Sequence, residues 1–197
     1  MVHIRIEDLE EYAKENNIPI MMKDGIEFLT RYIENNNIVN ILEIGTAIGY
    51  SSIKMAMVNN NIRITTIESD YERYSIACKN IDKFNLSNRI KVIHGDALNI
   101  ELNDKFDLIF IDAAKSQYIK FFTKYCLNLK PGGVIVSDNL SFHGLVEDDS
   151  KTHNRNTKQL VKKIRKYIEF LKNNENFDTT FYHLGDGVSI SIKKDEE

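Results

Sequence analysis

Apolar and polar residues alternate along this chain with two different periods, and the switches between the periods divide it into predicted helices and strands. Two amphipathic helices come first, from Ile6 to Asn16 and from Lys23 to Asn35. The Ile18-Pro19-Ile20 stretch separates them, because proline resists helix continuation. Short β-rich runs then alternate with helical segments, which predicts βαβ units and a parallel sheet. The predicted strands are residues 39–44, 63–68, 90–94, 106–112 and 133–138, and the helices between them begin near Tyr50, Tyr71 and Ser116.

The pattern changes near the C-terminus. A long helix is predicted from Thr157 to Leu171, followed by alternating runs at 179–184 and 188–192. Gly185-Asp186-Gly187 lies between these runs, and Asp-Gly in that position indicates a β-hairpin. The fold class is therefore predicted as α/β and Rossmann-like, with about seven mostly parallel strands, a C-terminal antiparallel hairpin and helices on both faces. The length of 197 residues predicts one domain, residues 1–197, whose N-terminal helices (1–36) cover the cofactor and substrate site.

Charge is unevenly distributed along the chain. The formal net charge is −3, yet residues 151–172 contain eight Lys or Arg and the single acid Glu169. This basic segment indicates an anionic partner, or it is only the solvated face of a helix. Cys78 and Cys126 lie in helical patterns and no apolar run of the signal-peptide type begins the chain, so a reduced, cytoplasmic protein is expected. No apolar stretch approaches the roughly 20 residues that span a membrane.

The ILEIGTAIGYSS stretch predicts a buried strand that turns into a helix at Gly45 and Gly49. A dinucleotide site would need a glycine where Ala47 stands, which disfavours a nicotinamide oxidoreductase. Glu68 ends the next strand, about 20 residues on, where a carboxylate accepts hydrogen bonds from two ribose hydroxyls. S-adenosylmethionine (SAM) has a ribose and no pyrophosphate, so SAM is the predicted cofactor. Asp96 follows the third strand and either accepts from the adenine amino group or caps a turn.

Polar residues also follow two later strands, Asp112 in FDLIFIDAAK and Asp138-Asn139 in GGVIVSDNL. The carboxyl ends of parallel strands meet at one edge of the sheet, and three oxygen ligands there suit a hard cation such as Mg²⁺, or Mn²⁺. Lys115 comes three residues after Asp112 and is the predicted general base for a hydroxyl held at the metal. Methyl transfer from a sulfonium is an in-line displacement that needs no protein nucleophile. These residues together predict a metal-dependent methyl transfer.

The motifs EIGTAIGYS, DAAK, DN and the late GDG resemble those of the small, cation-dependent, SAM-dependent O-methyltransferases related to the catechol and caffeoyl-CoA enzymes. The resemblance covers most of the chain and implies a class I methyltransferase fold and a homodimer. It implies that Asp112, Asp138 and Asn139 bind the metal and that Lys115 is the catalytic base. It also implies that the SAM site is lined by Glu43, Gly45, Ser51, Glu68, Asp96, Ala97 and Asp112. The IPIM stretch nominates Met21 as a further contact, unless Met21 only packs between helices.

Within that family the chain is most similar to the bacterial branch that methylates 5-hydroxyuridine at the wobble position of tRNA. The matching stretches are HIRIEDLEEYAKENNIPIM, TTIESD, IDAAKSQY and RNTKQLVKKIRKY. The resemblance implies tRNA as partner, with phosphates contacted by Arg155, Lys162, Lys163 and Lys166. An enzyme for a catechol-like diol would share the catalytic residues and need an aromatic substrate wall, for which Tyr118, Phe122 and Phe142 are candidates. A non-catalytic RNA-binding module would need neither Lys115 nor the metal ligands.

Overall fold

The computed structural model of the protein describes residues 4–194, and its centre is a seven-stranded sheet. The strands are β1 (Asn40–Ile44), β2 (Arg63–Glu68), β3 (Ile90–His94), β4 (Phe106–Ile111), β5 (Leu129–Ser137), β6 (Phe177–Tyr182) and β7 (Val188–Lys193). Their order is β3-β2-β1-β4-β5-β7-β6; the first five are parallel, and β7 is antiparallel to both of its neighbours. This confirms the predicted fold class. The predicted domain range, 1–197, extends beyond the described residues at both ends.

Helices cover both faces of the sheet. They are α1 (Ile6–Glu15), α2 (Lys23–Asn35), α3 (Tyr50–Ala56), α4 (Tyr71–Lys83), α5 (Tyr118–Tyr125) and α6 (Arg155–Lys172). The starts predicted near Tyr50 and Tyr71 agree with these bounds. A short 3₁₀ turn, Lys115–Gln117, precedes α5 and delays its start to Tyr118. Among the helices of residues 4–194, none combines the length and the apolar character that crossing a bilayer requires.

Two apolar layers bury the sheet. Successive strand residues point to opposite faces, so the fully buried Ile41 packs with residues of α1 to α4, and its neighbour Leu42 packs with α5 and α6. A parallel sheet covered on both faces explains why its strands appear in the sequence as nearly continuous apolar runs.

The start of β5 differs from the prediction, which began this strand at Gly133. The strand begins at Leu129 and includes Pro131, a residue that lacks the N–H needed in a regular ladder. The pairing of β4 with β5 shifts register between Phe106 and Leu108, so the proline lies in an irregular stretch where that hydrogen bond is not required.

Polar residues gather at one edge of the sheet because the central strands end in register. Ile44 of β1 is aligned with Ile67 of β2 and with Ile111 of β4, and Ile111 is aligned with Ser137 of β5. The residues that come next along each strand therefore meet at the carboxyl edge, which is where open α/β sheets bind ligands.

Candidate active site

The turn after β1 lies directly against the end of β4. Gly45 has a φ of +102°, and a Cβ atom added to it would stand 2.1 Å from the carbonyl oxygen of Asp112. Any side chain there would push the two strand ends apart, so glycine is required. Gly49, also at positive φ, then forms the N-cap of α3. The glycine turn and Asp112 are thus held together by backbone contact.

Glu68 holds the glycine turn from the neighbouring strand. Its Oε2 accepts a hydrogen bond from the Ala47 N–H at 2.8 Å, and its Oε1 accepts one from the Asp70 N–H at 2.9 Å. A carboxylate has about four acceptor sites, so both oxygens keep capacity for further donors. The side chain is 6% exposed and faces the cavity described next. Its orientation is therefore set before any ligand binds.

A cavity of about 520 Å³ opens at this edge of the sheet, a size ordinary for small-molecule sites. It joins residues predicted for the SAM site with residues predicted for the metal and the base. The predicted residues that line it are Gly45, Glu68, Asp96, Ala97, Asp112, Lys115 and Asn139. Asp96 also accepts a hydrogen bond from the Leu98 N–H, so it caps a turn while it lines the cavity, and its contact with the adenine amino group stays a prediction.

Two residues predicted to line the SAM site, Glu43 and Ser51, lie outside the cavity lining. Glu43 is 0% exposed, and its carboxylate accepts hydrogen bonds from the hydroxyls of Ser51, Ser52 and Thr66. Burial raises the pKa of Glu43 to about 7, although the three hydroxyl donors oppose that shift. The two residues therefore support the glycine turn from beneath, and their direct contacts with SAM stay predictions.

Met21, the residue nominated from the IPIM stretch (18–21), does not line the cavity, although two of its neighbours do. Pro19 and Ile20 line the cavity. Met21 is buried on the opposite side, where its Cε would lie 3.1 Å from a Cβ atom on Gly25. Helix packing, the alternative noted for Met21, is what the structure shows.

Asp112, Asp138 and Asn139 lie together at the ends of β4 and β5. The Asn139 amide nitrogen donates to Asp112 Oδ1 at 3.1 Å. Burial raises the pKa of Asp138 to about 7, and the nearby charge of Asp112 adds to this shift. Burial also raises the pKa of Asp112, while the Lys115 charge acts in the opposite direction. Asp138 Oδ1 is buried and finds no hydrogen-bond partner among residues 4–194.

This set of donors fits a hard divalent cation. Two carboxylates and an amide oxygen are typical ligands of Mg²⁺. A buried carboxylate oxygen without a partner costs free energy, and a bound cation would remove that cost. Across residues 4–194, no three His, Cys, Asp or Glu side chains are grouped to hold a metal. The candidate site is consistent with this, because its third ligand is an amide.

Lys115 faces the same cavity from the 3₁₀ turn that follows β4. Its Nζ lies 5.7 Å from the centroid of the Phe142 ring. Phe142 is half-buried and belongs to the loop that follows Asn139. One aromatic ring therefore lies beside the ammonium group of Lys115, which lines the cavity together with Asp112 and Asn139.

Tyr118 and Phe122 lie in the apolar core, which corrects their predicted place in a substrate wall. Each is 1% exposed. The Tyr118 hydroxyl donates to the Asp138 carbonyl at 3.1 Å, and the Phe122 ring packs against Phe170 and Phe177. Tyr118 thus supports the strand end that carries a candidate metal ligand. The place of Phe142 in a substrate wall stays a prediction.

The basic residues of α6 are exposed on the side of the helix away from the core. Arg155, Lys162, Lys163 and Lys166 are exposed, while Val161, Ile164, Tyr167 and Leu171 are buried. Helix α6 lies beside loops at the carboxyl edge of the sheet, since it packs against residues 115–117 and Arg165 donates to the Val146 carbonyl. Lys166 lines a separate surface cavity with Cys126 and Phe177. The basic face therefore begins near the site and leads away from it.

Arg73 and Phe121 also line the cavity, and the sequence analysis named neither. Arg73 lies in the first turn of α4, a helix that starts at the same edge of the sheet, so its spacing from Glu68 could have indicated it. Phe121 is 4% exposed and lies on the buried face of α5, where an apolar residue is first interpreted as core.

Comparisons with known proteins agree with this geometry. A family model described as O-methyltransferase matches residues 2–194. A catechol O-methyltransferase of Niastella koreensis is 35% identical over 168 residues, which cover 79% of this chain and 73% of that protein. A Staphylococcus aureus structure, described provisionally as a caffeoyl-CoA O-methyltransferase, is 41% identical with a TM-score of 0.93 and covers 96% of this chain and 92% of its own. A Bacillus cereus O-methyltransferase in complex with SAH is 28% identical with a TM-score of 0.81, covering 96% and 90%.

Proposed function

The chain belongs to the cation-dependent, SAM-dependent O-methyltransferase family of the catechol and caffeoyl-CoA enzymes, and on that premise we propose that it methylates a hydroxyl group lying beside a second oxygen atom. One observation carries this proposal: a single cavity is lined by Glu68, by Lys115, and by Asp112 and Asn139. A substrate hydroxyl bound beside Asp112 and Asn139 would thus lie close to the cofactor on the Glu68 side and to Lys115 as a base. A hydroxyl with a neighbouring oxygen is a bidentate ligand for a hard cation.

The roles of the side chains in this proposal follow from their positions. Glu68 accepts hydrogen bonds from the SAM ribose, and the turn at Gly45 places the cofactor beside the strand end that carries Asp112. A divalent cation held by Asp112, Asp138 and Asn139 would lower the pKa of the acceptor hydroxyl. Lys115 takes the hydroxyl proton. The oxygen then attacks the methyl carbon in line; the O–C bond forms as the C–S bond breaks, and S-adenosylhomocysteine leaves with its sulfur as a neutral thioether.

Replacing Glu68 by alanine is expected to weaken SAM binding by about 1 to 3 kcal/mol, the range for hydrogen bonds to a charged group. Isothermal titration calorimetry with SAM measures this directly. Because Glu68 also holds the Ala47 and Asp70 N–H groups, Glu68→Gln should be measured beside it, since glutamine retains one acceptor oxygen and the length of the side chain. Glu72→Ala, on the exposed face of α4, is the control. Unchanged SAM affinity in a folded Glu68→Ala protein would exclude the ribose contact.

For the substrate we propose tRNA that carries 5-hydroxyuridine at the wobble position, converted to 5-methoxyuridine. The 5-hydroxyl lies beside the O4 carbonyl and therefore offers the paired oxygens that the site requires. Two observations support tRNA over a small diol: the similarity of RNTKQLVKKIRKY to the tRNA branch, and the exposed basic face of α6 that begins beside the loops of the site. Mg²⁺ as the metal, a homodimeric assembly and a cytoplasmic location belong to the same proposal.

The triple replacement of Lys162, Lys163 and Lys166 by alanine is expected to lower tRNA affinity and its salt dependence together. Each phosphate contact contributes a slope of about −0.7 to −0.9 in log affinity against log salt. Filter binding across a salt series measures both quantities, and SAM affinity should not change. The matched control replaces Lys14, Lys79 and Lys83, exposed lysines of α1 and α4, by alanine. Equal tRNA affinity and slope in the two triple variants would contradict contact through α6.

A catechol-like diol is the second candidate substrate. It is favoured by the likeness to the Niastella koreensis catechol O-methyltransferase and by the Phe142 ring beside Lys115. The two candidates are separated by incubating the protein and labelled SAM with free catechols or with tRNA from cells that lack the protein. Efficient labelling of catechol without labelling of tRNA would favour the diol, with the same cofactor, metal and base residues.

A further inference from the structure

The turn between β6 and β7 packs against the residues that follow the candidate metal ligand Asn139. We call residues 139–143 the ligand loop. The Leu140 N–H donates to the Gly187 carbonyl at 3.0 Å, and the Ser141 N–H donates to the Asp186 carbonyl at 2.7 Å. The Asp186 side chain accepts a third hydrogen bond, from the His143 N–H. The hairpin turn therefore holds three of the five backbone N–H groups of the ligand loop.

The ligand loop has a backbone conformation that needs such support. Asn139, Phe142 and His143 have φ values of +63°, +49° and +58°. Residues other than glycine seldom adopt positive φ, and they keep it where the surroundings hold them. Asn139 lines the cavity and the Phe142 ring lies 5.7 Å from Lys115 Nζ, so the directions of both side chains depend on what fixes the backbone.

Gly187 shows how closely the turn and the loop approach. A Cβ atom on Gly187 would lie 2.7 Å from the Ser141 nitrogen, too close for any side chain. The glycine therefore serves the contact with the ligand loop in addition to the turn itself.

The Asp186 side chain is buried more deeply than the formation of a hairpin turn requires. It is 5% exposed, and its Oδ2 finds no hydrogen-bond partner within the part of the chain that the structure describes. An aspartate that serves only a β-turn can remain in solvent, whereas burying a carboxylate costs free energy. The buried side chain makes its contacts with His143: Oδ1 accepts the hydrogen bond from the His143 N–H and lies 3.7 Å from His143 Nδ1.

We infer that Asp186 is a positioning residue that fixes the ligand loop, and through it directs Asn139 toward the metal and Phe142 toward Lys115. The inference rests on the proposed metal site. Neither Asp186 nor the turn lines the cavity, so Asp186 positions the ligand loop from outside the site; its charge also lies close enough to raise the pKa of Asp138. Supporting residues of this kind typically change metal affinity 10- to 100-fold when they are removed.

The test measures Mg²⁺ affinity by calorimetry in the presence of SAM. Asp186→Ala is expected to weaken Mg²⁺ binding at least about tenfold while SAM affinity is retained. Asp186→Asn keeps an oxygen for the His143 N–H but removes the charge near Asp138, so it should bind Mg²⁺ clearly better than Asp186→Ala. Asp178→Ala is the control, an exposed aspartate of the same hairpin that pairs with Lys194. If Asp186→Ala fails to fold, Asp186→Ser replaces it, because serine is too short to make the same bond.

The outcomes separate this inference from the proposed function. A folded Asp186→Ala protein with wild-type Mg²⁺ affinity overturns the positioning role and leaves the metal site intact. An Asn variant as impaired as the Ala variant also overturns it, because the hydrogen bond would then not be what matters. Absence of Mg²⁺ binding in the wild-type protein overturns the proposed metal site and this inference with it. Weak binding in the Ala variant with rescue by Asn supports the inference.

Discussion

Replacing Lys115 by alanine is expected to lower kcat by about 10² to 10⁴, the usual contribution of a positioned general base. Lys115 faces the cavity that Asp112 and Asn139 also line, and Phe142 covers one side of it. Its loss removes the acceptor of the hydroxyl proton without removing a residue that faces the ribose. SAM affinity should therefore be retained while single-turnover methyl transfer slows.

Lys115→Arg is the matched variant. Arginine keeps the positive charge and the contact with Phe142, yet its guanidinium does not release a proton in proteins. We expect it to be almost as slow as alanine, which separates proton transfer from simple charge. Lys120→Ala, on the exposed face of α5, controls for removal of a nearby lysine. A Lys115→Ala protein with wild-type kcat and an unchanged pH–rate profile would rule out the base role.

Removal of divalent metal is expected to abolish turnover, and Mg²⁺ or Mn²⁺ should restore it. A cation at the acceptor supplies several kcal/mol of charge stabilisation, which corresponds to a rate loss of about 10³ or more without it. SAM binding should largely survive, because Glu68, the proposed ribose contact, is not one of the proposed metal ligands. One preparation is dialysed against a chelator. Its metal content is then measured by metal analysis, its turnover by an activity assay with and without added Mg²⁺ or Mn²⁺, and its SAM affinity by calorimetry.

Asp138→Asn tests the same site without a chelator. Asparagine preserves the size of the side chain and removes one ligand charge, so the Mg²⁺ concentration that restores activity should rise. Asp178→Asn, exposed on β6, is the control for loss of an acidic residue. Full activity in excess chelator, with metal content confirmed as nil, would end the metal mechanism.

Most of the fold could be predicted because local patterns decide it. The bounds of β2 and β3 agree with the prediction, since β-branched runs end at recognisable polar residues. The site residues that belong to a strand end, such as Glu68, Asp112 and Asn139, could be placed for the same reason. Parallel strands bring their carboxyl ends to one edge, so sequence position alone implies proximity.

The individual side-chain directions could not be predicted in the same way. Glu43 and Met21 belong to stretches whose other residues line the cavity, yet Glu43 supports the turn from beneath and Met21 packs on Gly25. Tyr118 and Phe122 follow the metal-ligand strand closely in sequence, but the amphipathic face of α5 turns both into the core. Whether a residue faces a ligand or the core depends on what packs behind it.

The sequence by itself determined the order of the elements, the turn at Gly45, the acidic group at the strand ends and the family. Only the tertiary structure decided that β7 inserts between β5 and β6 and that its turn, through Asp186, meets the loop after Asn139. The physical reason is the range of the interactions. Periodicity and turn chemistry act between neighbours along the chain, whereas Asp186 and His143 are 43 residues apart and meet only when the sheet forms.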